Sequence, residues 1–253
     1  MNYYNYFTEI EEHFVRRRGK HLYISPLDWS LVATWRDTGI PLHVALRGID
    51  KAMDSFFAKS RSDKKVNTLF YCHDTVMTEY AGFIESRVGE EAPAGESEGT
   101  PVSGQAVTAH EKGSPESVSE GPDRPAVLRF FVSRISEIKS LRAKHLEENP
   151  LHEGIERVLS RLEEIKRDLE QSAPLEFELI ERDLAILDES LVTLLRSTLP
   201  PERLAAWQDE AKKELKVYKK RLPKETYGKI LENFLRGKIH RHWNVGELSL
   251  FHL

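Results

Sequence analysis

Histidine next to carboxylate is the first pairing in this chain whose residue types could do chemistry. Glu9 and His13 are four residues apart, as are Glu148 and His152, so each pair would share one face of a helix. Such a pair can chelate a metal, but more often it is a solvated ion or hydrogen-bond pair. A di-iron bundle needs Glu-x-x-His pairs on facing helices, and no Glu stands three residues before His13 or His152. His240 and His242 flank Arg241, which puts a cation where a metal site would want a carboxylate. Cys72 and His73 are neighbours, and helical neighbours point about 100° apart, so they do not form a nucleophile–base pair. A phosphate-cradling loop, a dinucleotide turn and a nucleophile elbow are all missing from the sequence. Cys72 is the single cysteine, which rules out an intrachain disulfide and a Cys-based zinc site. The expectation is a chain without catalytic residues, metal or cofactor.

Lysine carries the second kind of chemistry. From Lys212 to Arg241 there are 11 basic and 3 acidic residues. Read as one helix, Lys212, Lys216 and Lys219 share a face with Lys213 and Lys220 beside them. Leu215, Tyr218 and Leu222 face the other way. A basic stripe of this kind suits phosphate-backbone contacts, which need charge and little else. It equally suits an acidic protein surface, including the chain's own acidic segment, or simply a solvated face. Two smaller basic groups stand at Arg16, Arg17, Arg18 and Lys20, a helix end where cations suit the dipole, and at Lys59, Arg61, Lys64 and Lys65.

The third feature is the ending, GELSLFHL. Leu248, Leu250, Phe251 and Leu253 are large and apolar, and an exposed apolar tail is a liability. Glu247-Leu248-Ser249-Leu250-Phe251 resembles the bacterial sliding-clamp-binding motif, commonly Gln-Leu-Ser/Asp-Leu-Phe, at four of five positions. The resemblance implies that Leu248 fills one subpocket of a clamp and that Leu250 and Phe251 fill a deeper apolar cleft. Glu247 departs from the motif, because a carboxylate only accepts hydrogen bonds whereas a Gln amide also donates. The alternative is a packed arm in which Val245, Leu248, Leu250 and Phe251 close the chain's own core.

The elements that must position these residues read as helices. The chain has 253 residues, of which 40% are hydrophobic and 31% charged, with a net charge of −4. That charge is uneven. Residues 1–88 carry +1, residues 89–125 carry −6 and residues 126–253 carry +1, so no global nucleic-acid footprint exists. Residues 89–125, rich in Gly, Pro, Ser and Glu and without an aromatic, read as a disordered acidic linker. The expected organisation is all-α: an N-terminal helical domain (1–88), the linker (89–125), and a bundle of long antiparallel helices with the basic helix and apolar tail (126–253).

In the first part, Thr8 and Glu11 form a capping box and Gly19 ends a helix. Ser25, Pro26 and Asp28 open a second helix that carries Leu27, Leu31 and Trp35 and stops at Gly39. A third, from Pro41, bears Leu42, Leu46, Ile49, Met53 and Phe56. A fourth bears Leu69, Cys72, Val76, Tyr80 and Phe83. In the second part, Phe131, Ile135 and Ile138 begin one helix. Ile155 to Leu169 and Phe177 to Leu194 keep a three-four spacing, with breaks at Pro150, Pro174 and Pro200-Pro201. Leu204 to Leu222 read as a further helix, and Leu231, Phe234, Leu235 and Ile239 as another. The opening MNYYNYFTEIEEHF lacks the basic and apolar regions of a secretory signal, and no apolar run is long enough to span a bilayer. A cytoplasmic protein without a membrane partner is expected.

In residues 29–80, Trp35 closes one helix, Gly39 and a small loop follow, an Ala- and Ile-bearing helix comes next, and a polar loop leads to Asn67 and Tyr71. This layout resembles the helical C-terminal module of DnaD-type replication-initiation proteins. The resemblance implies DNA binding and a role in helicase loading. Cys72 and His73 stand where that module has apolar and small residues, so no DNA-contacting residue is carried over. Three roles follow as expectations. The first is a non-catalytic DNA-replication or repair accessory that binds DNA through Lys212, Lys213, Lys216, Lys219 and Lys220, with a sliding clamp as a further partner of Leu248, Leu250 and Phe251. The second is a scaffold acting through self-association of its heptad-like helices. The third is a helical enzyme of unrecognised type.

Overall fold

Residues 5–19, 24–59, 65–90, 123–145, 152–171 and 176–252 are described by the structure, a computed structural model. They form α1 (Tyr6–Arg18), α2 (Pro26–Asp37), α3 (Leu42–Lys59), a 3-10 turn (Leu69–Tyr71) and α4 (His73–Glu90) in the first part. The second part holds α5 (Arg124–His145), α6 (His152–Glu170), α7 (Phe177–Ser197), α8 (Pro201–Leu215), α9 (Lys224–Trp243) and a terminal 3-10 turn (Leu250–His252). The fold is all-α, with two helical parts. Residues 91–122, most of the acidic segment, lie outside the described residues, as do Lys20, Arg61, Lys64, Glu148, Pro150 and Leu253.

Local signals place several helix ends. The Ser25 hydroxyl accepts from the Asp28 backbone N–H at 3.1 Å, and Pro26 occupies the first helical position of α2. Asp28 also accepts from the Thr68 hydroxyl (2.5 Å) and the Leu69 N–H (2.9 Å), so one carboxylate ties the start of α2 to the 3-10 turn. Gly19 and Gly39 take φ of 75° and 81° and end their helices in the left-handed region. The capping box at Thr8 is not formed. Helix α1 begins at Tyr6, three residues before the start a Thr8 cap would set, because Tyr6 and Phe7 are buried and their packing draws the helix past the local cap.

Helices α3 and α4 cross closely. Ala45, Gly48, Ile49, Ala52 and Met53 form the buried face of α3. A Cβ added at Gly48 would lie 2.6 Å from the Val76 Cα, inside contact distance of a backbone atom. Gly48→Ala is expected to lower stability by about 1–3 kcal/mol through overpacking, outweighing the roughly 1 kcal/mol helix-propensity gain of Ala over Gly. Urea denaturation checks this, and an unchanged or higher midpoint would mean the crossing relaxes.

The two cores do not divide where the chain does. The first gathers Tyr6, Phe14, Leu31, Trp35, Ile49, Met53 and Val76, but also Ala211, Leu215, Leu222, Ile230 and Phe234 from the other end of the chain. The second gathers Phe131, Ile138, Ile155, Leu162, Leu184 and Leu191 with Ile239, Val245, Leu248 and Leu250. Helix α9 therefore serves both, its N-terminal half in one core and its C-terminal half in the other, and it packs along α2. The heptad-like apolar residues of α6 and α7 are largely consumed inside this chain.

Candidate functional site

The basic stretch is not one helix. Helix α8 stops at Leu215, and residues 216–221 form a turn in which Tyr218 N–H donates to Leu215 O and Leu222 N–H to Tyr218 O. The physical reason is tertiary. Tyr218 stacks on Phe70 of the 3-10 turn with ring centroids 4.4 Å apart, and Leu222 is buried in the first core. A straight helix could not satisfy both. Lys212 and Lys213 thus sit on the last turn of α8, while Lys216, Lys219 and Lys220 sit on the elbow between α8 and α9. All five are exposed, as are Arg221 and Lys224. From Lys212 to Lys224 there are seven basic residues and one acidic, Glu214. Lys212 lies 3.7 Å from Asp209. Among the described residues no ion pair engages Lys213, Lys216, Lys219, Lys220, Arg221 or Lys224.

The other basic groups differ. Arg17 pairs with Asp50 and Asp54, and Arg18 lies over Phe14. His13 binds Asp50 at 2.8 Å rather than forming a chelate with Glu9. His152 lies 3.7 Å from Glu156. No group of three His, Cys, Asp or Glu converges among the described residues. Cys72 is fully buried, and burial, with the nearby Asp28 charge, pushes its thiol up to about 12. It is inert as a nucleophile at neutral pH. His73 faces elsewhere, its Nδ1 accepting from the Trp35 indole N–H at 3.0 Å.

The tail is docked. Leu248 and Leu250 are fully buried, and Phe251 packs partly covered against the first core. Capture by a clamp needs these three side chains free, so in this arrangement they are an arm of the fold and not an available ligand. What holds them is a ladder of carboxylates. The Gly246 N–H donates to Glu137 (2.8 Å), the Leu248 N–H to Asp188 (2.9 Å) and the Leu250 N–H to Glu181 (2.8 Å). Three acids from α5 and α7 thus accept from alternate N–H groups of the tail. Glu247 points elsewhere, to Arg36 at 3.3 Å. Arg36 in turn lies over the rings of Phe7 and Phe251, joining the tail to α1 and α2. Burial disfavours its charge, but Glu247, Asp37 and Glu181 outweigh that and raise its pKa.

Asp188 is the centre of this seam. It is 1% exposed and also meets His240 Nε2 at 3.2 Å and Arg236 at 3.5 Å. His240 Nδ1 faces the Val245 carbonyl at 3.1 Å. Both ring nitrogens therefore face acceptors, an arrangement that favours the imidazolium, in which each carries a proton. Burial opposes that charge, but the Asp188 hydrogen bond and charge, Glu247 and the Val245 carbonyl outweigh it, and its pKa rises above 6.5. The raised pKa sets the sign. The stabilisation is fully present below 6.5 and is lost as pH rises through the higher folded value. Melting temperature is expected to fall across that window, with the slope absent in His240→Gln. A slope that persists in the variant would assign it to another group.

A cleft of about 570 Å³ opens along the same seam. Its Arg134, Arg236 and Glu247 are already in ion pairs with Glu137, Asp188 and Arg36. No pair of free, converging acid and base groups results.

Sequence reasoning missed Glu137, Glu181 and Asp188. Glu181 and Asp188 left a trace, as carboxylates set at the same spacing between Phe177 and Leu184 and between Leu184 and Leu191. A family model described as "Uncharacterised protein" matches residues 5–92, which span α1 to α4. No curated protein and no solved structure matches the chain. No described helix is long and apolar enough to cross a membrane.

Proposed function

We propose that this protein is a non-catalytic nucleic-acid-binding accessory that grips the phosphate backbone through the α8–α9 elbow. One observation carries the reading. Lys213, Lys216, Lys219, Lys220, Arg221 and Lys224 are exposed at the elbow and its flanking helix ends with no ion-paired carboxylate among the described residues, while many cations elsewhere are paired within the fold. Unpaired cations fixed on a packed support keep a hydrated counterion atmosphere, whose release drives association with a polyanion. The stack of Tyr218 on Phe70 gives that support. The resemblance of residues 29–80 to DnaD-type modules supports a replication or repair setting. A clamp is not needed in this reading, since Leu248 and Leu250 serve the core. Self-association of the heptad-like helices has less behind it, because their apolar stripes are used internally.

The test is fluorescence anisotropy of the full chain with a labelled DNA duplex between about 0.05 and 0.3 M salt. A log–log slope of about −3 or steeper, reflecting several phosphate contacts, is expected. Absence of binding at the low-salt end would overturn the proposal.

A further inference from the structure

Two aromatic side chains near the ring that the elbow stacks on are left in water by the packing. Phe57 is 52% exposed and Tyr71 45%, and among the described residues they are the only exposed Phe, Tyr or Trp side chains. Both lie on the same chain of ring contacts. Tyr218 of the elbow stacks on Phe70, the neighbour of Tyr71. Tyr71 meets Phe56 edge-on at 5.5 Å, and Phe56 meets Phe57 at 5.6 Å. Val217, in the elbow itself, is 78% exposed. Lys59 and Lys65, both exposed, stand at the end of α3 and before the 3-10 turn. The exposed carboxylates near in sequence are Asp54, Asp74, Glu214 and Glu225, against Lys59, Lys65 and the elbow cations.

Exposed rings are costly, and these two belong to a ring cluster whose neighbour Phe70 stacks on Tyr218 of the basic elbow. A duplex presents phosphates outward and keeps its base faces stacked, so it engages the lysines and gains nothing from the rings. A single strand offers both phosphates and unstacked base faces, and every base has a π-face. We infer that the surface formed by Phe57, Tyr71 and the α8–α9 elbow binds single-stranded nucleic acid, with bases stacking on the two rings and phosphates tracking Lys216, Lys219 and Lys220. This rests on the elbow being a nucleic-acid surface and adds the strandedness of its ligand.

The experiment uses the full chain with a labelled oligothymidine and a labelled duplex of equal length, by anisotropy. The variant is Phe57→Leu/Tyr71→Leu, which keeps apolar volume against Phe56 and removes the π-faces. Tyr71→Trp is the rescue, since it restores a stacking ring. The Leu pair is expected to weaken single-strand binding at least about tenfold. Duplex binding should change less than about twofold, because phosphate contacts dominate it. Tyr71→Trp should bind the single strand as the wild type does. Equal losses on both ligands, or none on the single strand, would overturn the inference and leave the elbow reading standing. Failure of the wild type to bind either ligand at low salt would remove both. Thermal melting of each variant separates lost contacts from lost fold.

Discussion

Asp188→Ala is expected to cost about 3–5 kcal/mol of stability, the range for removing one partner of a buried ion pair. The argument is local. Asp188 is 1% exposed and receives the Leu248 N–H, the His240 ring and Arg236. Alanine leaves the His240 imidazolium without its paired carboxylate and a buried tail N–H with no acceptor. The imidazolium escapes by losing its proton, so the variant is expected to show a His240 pKa shifted down and a flattened stability–pH profile above 6.5. Asp188→Asn should cost less, because its amide oxygen still accepts from Leu248 while the charge is gone. The double variant Asp188→Ala/His240→Ala should cost less than the sum of the singles, since each single leaves the other group stranded. Urea melts of the set measure this. Additive losses would mean that Asp188 and His240 are not coupled.

Charge reversal at the elbow is expected to have the larger effect on binding. Lys216→Glu/Lys219→Glu/Lys220→Glu removes three exposed cations that no described carboxylate engages. If each neutralises one duplex phosphate, the salt slope falls by about 2.7 and affinity at 0.1 M salt drops roughly 500-fold. Repulsion from the new carboxylates adds to the loss. Stability should hold or rise slightly, because the change relieves like-charge crowding and touches neither the Tyr218–Phe70 stack nor Leu222. The measurement is the same anisotropy titration with a melt in parallel. A variant that binds as the wild type does would place the DNA surface elsewhere. A variant that loses its fold would mean that the elbow's lysine stems pack more than their exposure indicates.

Helix ends and apolar stripes were legible because their causes lie within a few residues. Ser25, Pro26 and Asp28 open α2 by a hydrogen bond over three residues, and Gly19 and Gly39 end helices by their own φ. The three-four spacing of α6 and α7 needs only helical geometry to bring Ile155, Leu162, Leu184 and Leu191 inward. Even the ambiguity of the tail was legible, since four large apolar residues cannot stay in water. Whether they meet a partner or their own core was not.

That choice rests on contacts between distant positions, which no spacing encodes. The acids that receive the tail lie 60 to 109 residues away in sequence, on α5 and α7, and outward-facing glutamates of a helix look alike until a neighbour arrives. The same holds for the basic stretch. Its amphipathic pattern runs on past Leu215, and no glycine or proline interrupts it before Pro223. The helix breaks because Tyr218 gains a ring in Phe70 and Leu222 gains a core, both from the other part of the chain. Local preferences are worth tenths of a kcal/mol per residue, whereas burying a leucine or a ring is worth about 1.5–3. Sequence by itself determined which segments are helical and which face of each is apolar. Only the tertiary structure decided that α9 joins two cores, that the tail is locked between them, and that the elbow holds its lysines and its neighbouring rings in water.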